Sequence, residues 1–269
     1  MSRGVQDVGT TVEEIKRRLQ AADEQEFAVL ERSLVADARK GVRTAVEVAR
    51  RRLAAERAER ERLEGLYALE EHLMDERGAS LCVGLDEVGR GPVAGPLAVG
   101  AVVLPREPHI AGLNDSKQVA PAERERIAAE VKQVALAWAV EYASPQDIDS
   151  LGMSACLRRT FSAAVRKIEE RGVCPGLILL DGNPLHLDDR ECNLVKGDAR
   201  CASIAAASIV AKVERDALME RLDAQYPGYG FASNKGYASA DHVEAIKELG
   251  LTPAHRASFC TSFAQQSLF

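Results

Sequence analysis

Proline is confined to one part of this chain. All 10 prolines of the 269 residues lie at Pro92 or later, and the first eighty residues hold only a quarter of the 20 glycines. The residues that break helices are thus withheld from the segment densest in Ala, Glu, Arg and Leu, the strong helix formers. Within that segment apolar positions recur at helical spacing: Val12, Ile15 and Leu19, then Phe27, Leu30, Leu34 and Val35, then Val42, Ala45, Val46 and Val48. Thr11 followed by Glu14 is a capping-box signature, and Gly41 between two of the patterns marks a break. The spacing predicts two or three helices over residues 10–77, a small all-α module at 1–78 ended by Arg77–Gly78–Ala79–Ser80.

Whole-chain numbers bound the class. Apolar residues are 46% and charged residues 28%, the profile of a globular protein, which excludes collagen, low-complexity polymers and full-length disorder. No stretch approaches the roughly 18 uncharged apolar residues of a membrane span. The N-terminal MSRGVQDVGTTVEEIKRR has no signal-peptide core, which makes a cytoplasmic location the expectation. The six cysteines (Cys82, Cys156, Cys174, Cys192, Cys201, Cys260) form no C-x-x-C pair, so free thiols are expected rather than a disulfide scaffold or zinc site.

A net charge of -6 gives no global footprint for a nucleic acid, so any such partner needs a local patch. The helical module has one. Arg39, Lys40, Arg43, Arg50, Arg51, Arg52, Arg57, Arg60 and Arg62 outnumber Glu47, Glu56, Glu59 and Glu61. Such a cluster suits a phosphate backbone, and equally a solvated face laced with i,i+4 pairs such as Glu56–Arg60. The module is therefore read as a nucleic-acid-binding arm or a partner-binding set of helices.

From Leu81 the texture changes. LCVGLDEV, LAVGAVVL, ALAWAVEYA and LILLDG are short apolar runs of strand character. Between and after them lie the helical stretches PAERERIAAEVKQ, MSACLRRTFSAAVRKIEERG, ARCASIAAASIVAKVERDALMERLDAQ and ASADHVEAIKELG. Strands followed by helices make an α/β domain, bounded here at residues 79–260, with 261–269 as a flexible tail. No internal repeat is visible.

Acids at the ends of these runs carry the chemistry. Asp86 and Glu87 end LCVGL and enter the turn VGRGPVAGP; Asp181 ends LILL; Asp198 sits in KGDA ahead of a long helix. An acid at the end of a buried strand is costly unless paired, hydrogen-bonded or metal-bound. Converging, these positions form an all-oxygen site suited to Mg²⁺ or Mn²⁺ rather than zinc. Neighbours on a strand point to opposite faces, so Asp86 and Glu87 share one site only if the strand ends or bends at Gly89 and Gly91. For Asp198 the plainer reading is a helix N-cap. The turn Gly89–Arg90–Gly91 can bring backbone N–H groups close to phosphate or hydroxyl oxygens.

These strings together resemble ribonuclease HII in its bacterial form. GLDEVGRGPVAGPLAVGAVVLP resembles its opening strand and turn, LNDSKQVAPAERE its D-S-K segment, and LILLDGN its central strand. KGDARCASIAAASIVAKVERD resembles its metal-binding helix start, and YPGYGFASNKGYASADHVEAIKELGLTPAHRASF its C-terminal signature. The resemblance covers about residues 80–260, and the helical module is similar to the extension of some members. It implies an RNase H-like mixed sheet flanked by helices. It implies endonucleolytic cleavage of RNA in RNA–DNA hybrids and at single ribonucleotides in duplex DNA. The implied chemistry is two-metal-ion hydrolysis with Mg²⁺ or Mn²⁺, leaving 5′-phosphate and 3′-hydroxyl ends.

By motif position, Asp86, Glu87, Asp181 and Asp198 are implied as the catalytic and metal-binding acids. Gly89, Arg90 and Gly91 are implied as the turn that senses the ribose 2′-hydroxyl, and Tyr237 as the aromatic at the junction nucleotide. Lys117 joins them as a phosphate contact. One departure stands out: Asn234 occupies the place before KGY where the family commonly has His, which removes an acid/base role there. Ser203 and Ser208 read as packing residues, Asp216 as an ion-pair partner, Trp138 as core, and His242 and Arg256 as braces of the C-terminal part.

The chain ends Gln265–Gln266–Ser267–Leu268–Phe269, which resembles peptides that dock on the sliding clamp, with Gln265, Leu268 and Phe269 as contacts. The plainer reading is a frayed tail. Nothing in the sequence demands a dimer, so a monomer is expected. Two other classes share parts of the pattern. A resolvase- or transposase-type nuclease shares the acids and cuts all-DNA substrate. A non-catalytic hybrid binder binds without metal-dependent cleavage.

Overall fold

The computed structural model describes residues 10–264, with side chains through Ser262; the tail contacts Gln265, Leu268 and Phe269 lie outside the described residues. Helices α1 (Val12–Ala21), α2 (Glu24–Leu34) and α3 (Lys40–Arg77) realise the expected module. Thr11 caps α1, its hydroxyl accepting the Glu14 N–H at 3.2 Å. The break before α3 falls ahead of Lys40; Gly41 lies inside the first turn of α3, and a Cβ there would stand 3.0 Å from a Val12 methyl. The glycine is thus selected by close approach of α1 rather than by a chain break.

The chain divides into two compact units, Met1–Arg62 and Leu63–Phe269. The sequence places this boundary at residue 78, where α3 does end and Gly78 takes a φ of 62°. The division comes earlier because Leu66, Tyr67, Glu70 and Met74 of α3 are buried within the second unit. In the first unit, Ile15, Leu19, Phe27, Leu30, Val42 and Leu53 form the core. Its arginines are matched by acids. Arg50 pairs with Glu31 at 2.5 Å, Arg51 with Glu47 at 3.1 Å, Arg52 with Glu56 at 2.8 Å, and Arg60 with Glu24 at 2.8 Å. The face is ion-laced as the spacing allowed, but only in part by i,i+4 pairs: Arg50 and Arg60 reach acids of α2, and Glu56, expected to pair with Arg60, pairs with Arg52.

In the second unit, β1 (Cys82–Val88), β2 (Leu97–Val103), α4 (Pro121–Val134), β3 (Ala137–Ala143), α5 (Pro145–Leu151), α6 (Met153–Glu169), β4 (Leu177–Asp181) and β5 (Glu191–Leu194) are followed by α7 (Ala202–Gln225), α8 (Phe231–Asn234) and α9 (Ala240–Leu249). The sheet order is β3-β2-β1-β4-β5, with β1 central. β1 runs antiparallel to β2 and parallel to β4, so the sheet is mixed, as expected. The strand β5 and the helix α5 are absent from the sequence reading. Trp138, expected in the core, sits half-buried at the sheet margin, with the Lys132 ammonium 5.0 Å and the Arg171 guanidinium 5.5 Å from its ring.

Side-chain alternation splits β1 between two layers. Val83 and Leu85 pack with Phe161, Val165 and Ile168 of α6. Gly84 faces α7, where a Cβ would stand 2.2 Å from the Ser203 carbonyl carbon; at Gly100 of β2 it would stand 2.3 Å from the Ala207 oxygen. The small residues Ala202–Ala211 of α7 therefore lie directly against the sheet, all buried. Burial of these two faces is the main favourable term holding the unit together. All six cysteines are free. Among the described residues no helix is long and apolar enough to cross a membrane.

Candidate active site

The acids gather at one end of the central strands. Asp86 and Glu87 both lie inside the β1 ladder, opposite Gly100 and Val99. The strand runs unbroken through both and the turn follows only after Val88, so the expected bend is absent; the two carboxyls are nonetheless close enough for Glu87 to act on Asp86 and Asp181 on Glu87 at this end of the sheet. Asp86 lies on the α7 face, 7% exposed, close enough to Ser208 for that hydroxyl to favour its charged form. Ser208 in turn meets the Ser116 hydroxyl at 2.9 Å. Ser208 thus does more than pack.

Burial pushes the Asp86 carboxyl up to about 8, and the nearby Glu87, Asp181 and Asp198 charges add to the shift. Glu87 is raised by burial and by Asp181, against the pull of Arg90, whose guanidinium stands 3.6 Å away. Asp181 ends β4, and its Oδ1 accepts the Gly197 N–H at 2.7 Å. Asp198 is buried in the short 3₁₀ turn Gly197–Ala199. It is not the N-cap of α7; that position is Cys201, which makes no side-chain cap bond. Burial and the Asp115 and Asp181 charges raise the Asp198 carboxyl.

Lys117 lies on the open side of this group, 4.0 Å from Asp115. Partial burial works against its charge, but the summed field of Asp115, Asp198, Asp86 and Asp181 prevails and raises it. Acids packed this closely and facing few cations form a deficit of positive charge that a hard, oxygen-preferring dication relieves. The donor set therefore fits Mg²⁺ or Mn²⁺. Among the described residues no three such side chains are converged to ligating distance.

Beside the acids, Gly89 makes the turn at φ 87°; a Cβ there would stand 2.2 Å from Arg215 Nε, so only glycine fits. Arg90 and Gly91 are exposed. Tyr237 is 54% exposed and lies over Gly91, whose Cβ, if built, would be 3.7 Å from the ring. Val93 and Ala94 N–H groups both donate to the Gly236 carbonyl, fastening the turn to the Lys235–Tyr237 segment. Asn234 has its amide fully engaged: Nδ2 donates to Tyr229 O at 2.7 Å and Oδ1 accepts the Gly236 N–H at 2.8 Å. It braces the segment as a structural residue.

The sequence model of the family "Ribonuclease HII" matches residues 83–262, and that of "Ribonuclease HII N-terminal domain" matches residues 11–74. This chain belongs to the ribonuclease HII family. It is accordingly a ribonuclease H endonuclease, in a family whose members depend on metal. Among solved structures it is similar to the ribonuclease H2 of Pyrococcus horikoshii OT3, at 27% identity and a TM-score of 0.59, over 70% of this chain and 98% of that one. It is similar to the RNase HII of Archaeoglobus fulgidus, solved as a PCNA complex, at 26% identity and a TM-score of 0.57, over 65% and 93% of the two chains. It also shares its fold with Bst-RNase HIII in complex with Mn²⁺, at 23% identity and a TM-score of 0.51, over 69% and 70%.

Several residues around this ribonuclease HII site escape sequence reasoning. Glu70 of α3 is buried against α7, accepting the Ser203 N–H and the Cys201 thiol, the latter at 3.1 Å. It caps from outside a helix that lacks a cap of its own. The only available signal was an acid at helical spacing from Leu66 and Met74. Behind Tyr237, His255 Nδ1 accepts the Thr252 N–H at 3.0 Å, which leaves the proton on Nε2. That proton points at His242 Nε2, 3.1 Å away, and His242 Nδ1 then donates to the Tyr237 carbonyl at 2.7 Å. Both rings are neutral in this relay, and burial lowers both, His255 to about 4. His242 thus braces Tyr237 itself.

Proposed function

We propose that this ribonuclease HII-family protein cleaves RNA strands of RNA–DNA hybrids and duplex DNA at single embedded ribonucleotides. The observation that carries this reading is the buried Asp86 carboxyl with Glu87, Asp181 and Asp198 around it, beside an exposed glycine turn. Asp86, Glu87, Asp181 and Asp198 would hold divalent metal, Mg²⁺ or Mn²⁺, as the all-oxygen donor set favours. When bound, such ions supply an activated water and stabilise the leaving 3′-oxygen, which accounts for 5′-phosphate and 3′-hydroxyl ends.

The chain's own residues do the rest. The turn Gly89–Arg90–Gly91 offers backbone donors to the ribose 2′-hydroxyl, the group that separates RNA from DNA. Tyr237, lying over Gly91, stacks on the junction nucleotide. Lys117, on the open side of the acids, contacts a phosphate of the substrate. Asp181 is held through Oδ1 by the Gly197 N–H, which leaves its other oxygen uncommitted to that bond. The archaeal relative solved with PCNA supports a docking role for Gln265, Leu268 and Phe269 on a sliding clamp. The protein would act as a monomer in the cytoplasm, in replication and repair. The test is Asp86→Asn and Asp181→Asn in a cleavage assay with a hybrid and a one-ribonucleotide duplex. Loss of metal-dependent cutting in both supports the reading, and full activity of either overturns it.

A further inference from the structure

Two arginines stand behind the glycine turn without a carboxylate partner among the described residues. Arg215 of α7 is 1% exposed and Arg256, beyond α9, is 0% exposed. Their guanidinium N–H groups donate to backbone carbonyls, and the Arg256 guanidinium also lies 5.3 Å over the Phe259 ring. Arg256 Nη2 donates to Gly89 O at 2.6 Å and to Gly95 O at 2.8 Å, Nε to Gly95 O at 3.0 Å, and Nη1 to Arg90 O at 3.0 Å. Arg215 Nε donates to Pro96 O at 2.9 Å, Nη1 to Lys235 O at 3.0 Å and Nη2 to Ala94 O at 3.3 Å. Two buried positive charges with no carboxylate in ion-pair contact, and only the longer-range fields of Asp216 and Asp149 to offset them, are costly. Burial lowers both, and Arg215 pushes Arg256 further, to about 10. Bracing the C-terminal part needs no such arrangement, since an apolar cluster of Phe231, Ile246 and Ala254 with Val93 and Met219 already does that.

The pattern of accepted carbonyls has a directional consequence. In a trans peptide the C=O and N–H of one plane point in opposite directions. Arg256 draws in the carbonyls of Gly89 and Arg90. The N–H groups in those same planes belong to Arg90 and Gly91, and they point outward. Both residues are exposed, and neither N–H donates to a backbone or side-chain acceptor among the described residues. Two successive outward N–H groups, backed by buried positive charge, form a small donor pair for electron-rich oxygens. It opens beside Asp86 and under Tyr237.

We infer that Arg256 is a positioning residue for substrate discrimination: by holding the Gly89 and Arg90 carbonyls inward it aims the Arg90 and Gly91 N–H groups at the ribose hydroxyl and adjoining phosphate of the scissile junction. Arg215 supports it by anchoring Ala94, Pro96 and Lys235, the two ends of the same plate. The inference rests on the proposed function, in which this turn senses ribose. A lysine at 256 keeps the charge but presents one point of contact in place of a planar fork reaching three carbonyls.

The test separates binding from catalysis. In the full chain carrying Asp86→Asn, which blocks cleavage, affinity is measured for a duplex with one ribonucleotide and for the matched all-DNA duplex. The expected result is a preference for the ribonucleotide duplex that Arg256→Lys reduces by about tenfold or abolishes, with all-DNA affinity unchanged. A preference retained in a folded Arg256→Lys chain overturns the positioning role alone. No preference in Asp86→Asn itself removes ribose sensing and the inference with it. If Arg256→Lys does not fold, the Arg90 and Gly91 amide resonances of the Asp86→Asn chain decide. They must shift with the ribonucleotide duplex and stay in place with all-DNA; equal behaviour with both overturns the inference.

Discussion

Asp181 Oδ1 accepts the Gly197 N–H at 2.7 Å, which ties the acid at the end of β4 to the turn carrying Asp198. Two carboxylates from distant parts of the chain are thereby held as one unit. An asparagine at 181 still offers an oxygen to Gly197 but loses the charge. Asp181→Asn should therefore fold with an unchanged melting temperature and lose at least about a hundredfold in kcat/KM on a hybrid. Asp181→Ala should in addition lose about 1–3 kcal/mol of stability, because Gly197 is left without its acceptor. Steady-state kinetics and thermal melts of the two variants distinguish charge from scaffold.

The raised Asp86 carboxyl makes the metal-free protein sensitive to alkali. In the unfolded chain this group ionises at its ordinary value of 3.8, whereas the native state holds its proton to about 8. The native state thus binds more protons across that window, and stability falls as pH rises through it. Above the ordinary histidine range the buried histidines contribute no opposing change. Melting without metal should decline from pH 7 to pH 9, and saturating Mg²⁺ should flatten that decline. Asp86→Asn should remove Asp86's part of it. A metal-free melting temperature that rises over the same range contradicts the assignment.

Glu70 predicts where the chain can be cut. Gln at 70 keeps an acceptor for the Ser203 N–H, and burial already favours the uncharged acid, so Glu70→Gln should cost little. Glu70→Ala leaves the first turn of α7 uncapped and should cost about 1–3 kcal/mol. By the same contacts, a chain starting at Leu63 should fold, whereas one starting at Ala79 should not, since it lacks Leu66, Tyr67, Glu70 and Met74. Urea melts of these chains provide the check.

The His255–His242 relay sets an acid limit. His255 stays neutral down to about 4 in the fold but protonates at 6.5 when unfolded. Its stabilising contribution is present above 6.5 and is lost as pH falls toward 4. At neutral pH, His255→Phe should be less stable than the wild type, because Thr252 and His242 each lose a partner. That gap should shrink between pH 6.5 and pH 4. A gap independent of pH contradicts a neutral relay.

The sequence made the sheet, its long helices and the four acids legible, and it did so for physical reasons. Apolar runs as dense as LCVGL and LILL can only be interior strands, and acids at their ends are too costly to be idle. What was hidden depended on distant partners. β5, with the sequence ECNL, has few β-branched residues and exists because β4 offers it an edge. Gly41 and Gly84 look alike as letters; one admits Val12, the other the backbone of α7. Arg256, read as a brace for its own segment, serves carbonyls far back at Gly89 and Arg90. Glu70 was indistinguishable from its solvated neighbour Glu71 until α7 was in place. Ser208 passed for a packing residue because its hydrogen-bond partner, Ser116, lies far back in the chain.

The most direct measurement is cleavage mapping on a duplex carrying one ribonucleotide, with Mg²⁺ or Mn²⁺ and with chelator. The account predicts a single metal-dependent cut on the 5′ side of the ribonucleotide, leaving 3′-hydroxyl and 5′-phosphate ends, and no cut in the all-DNA duplex. Cutting of all-DNA, or cutting that persists in chelator, would contradict it.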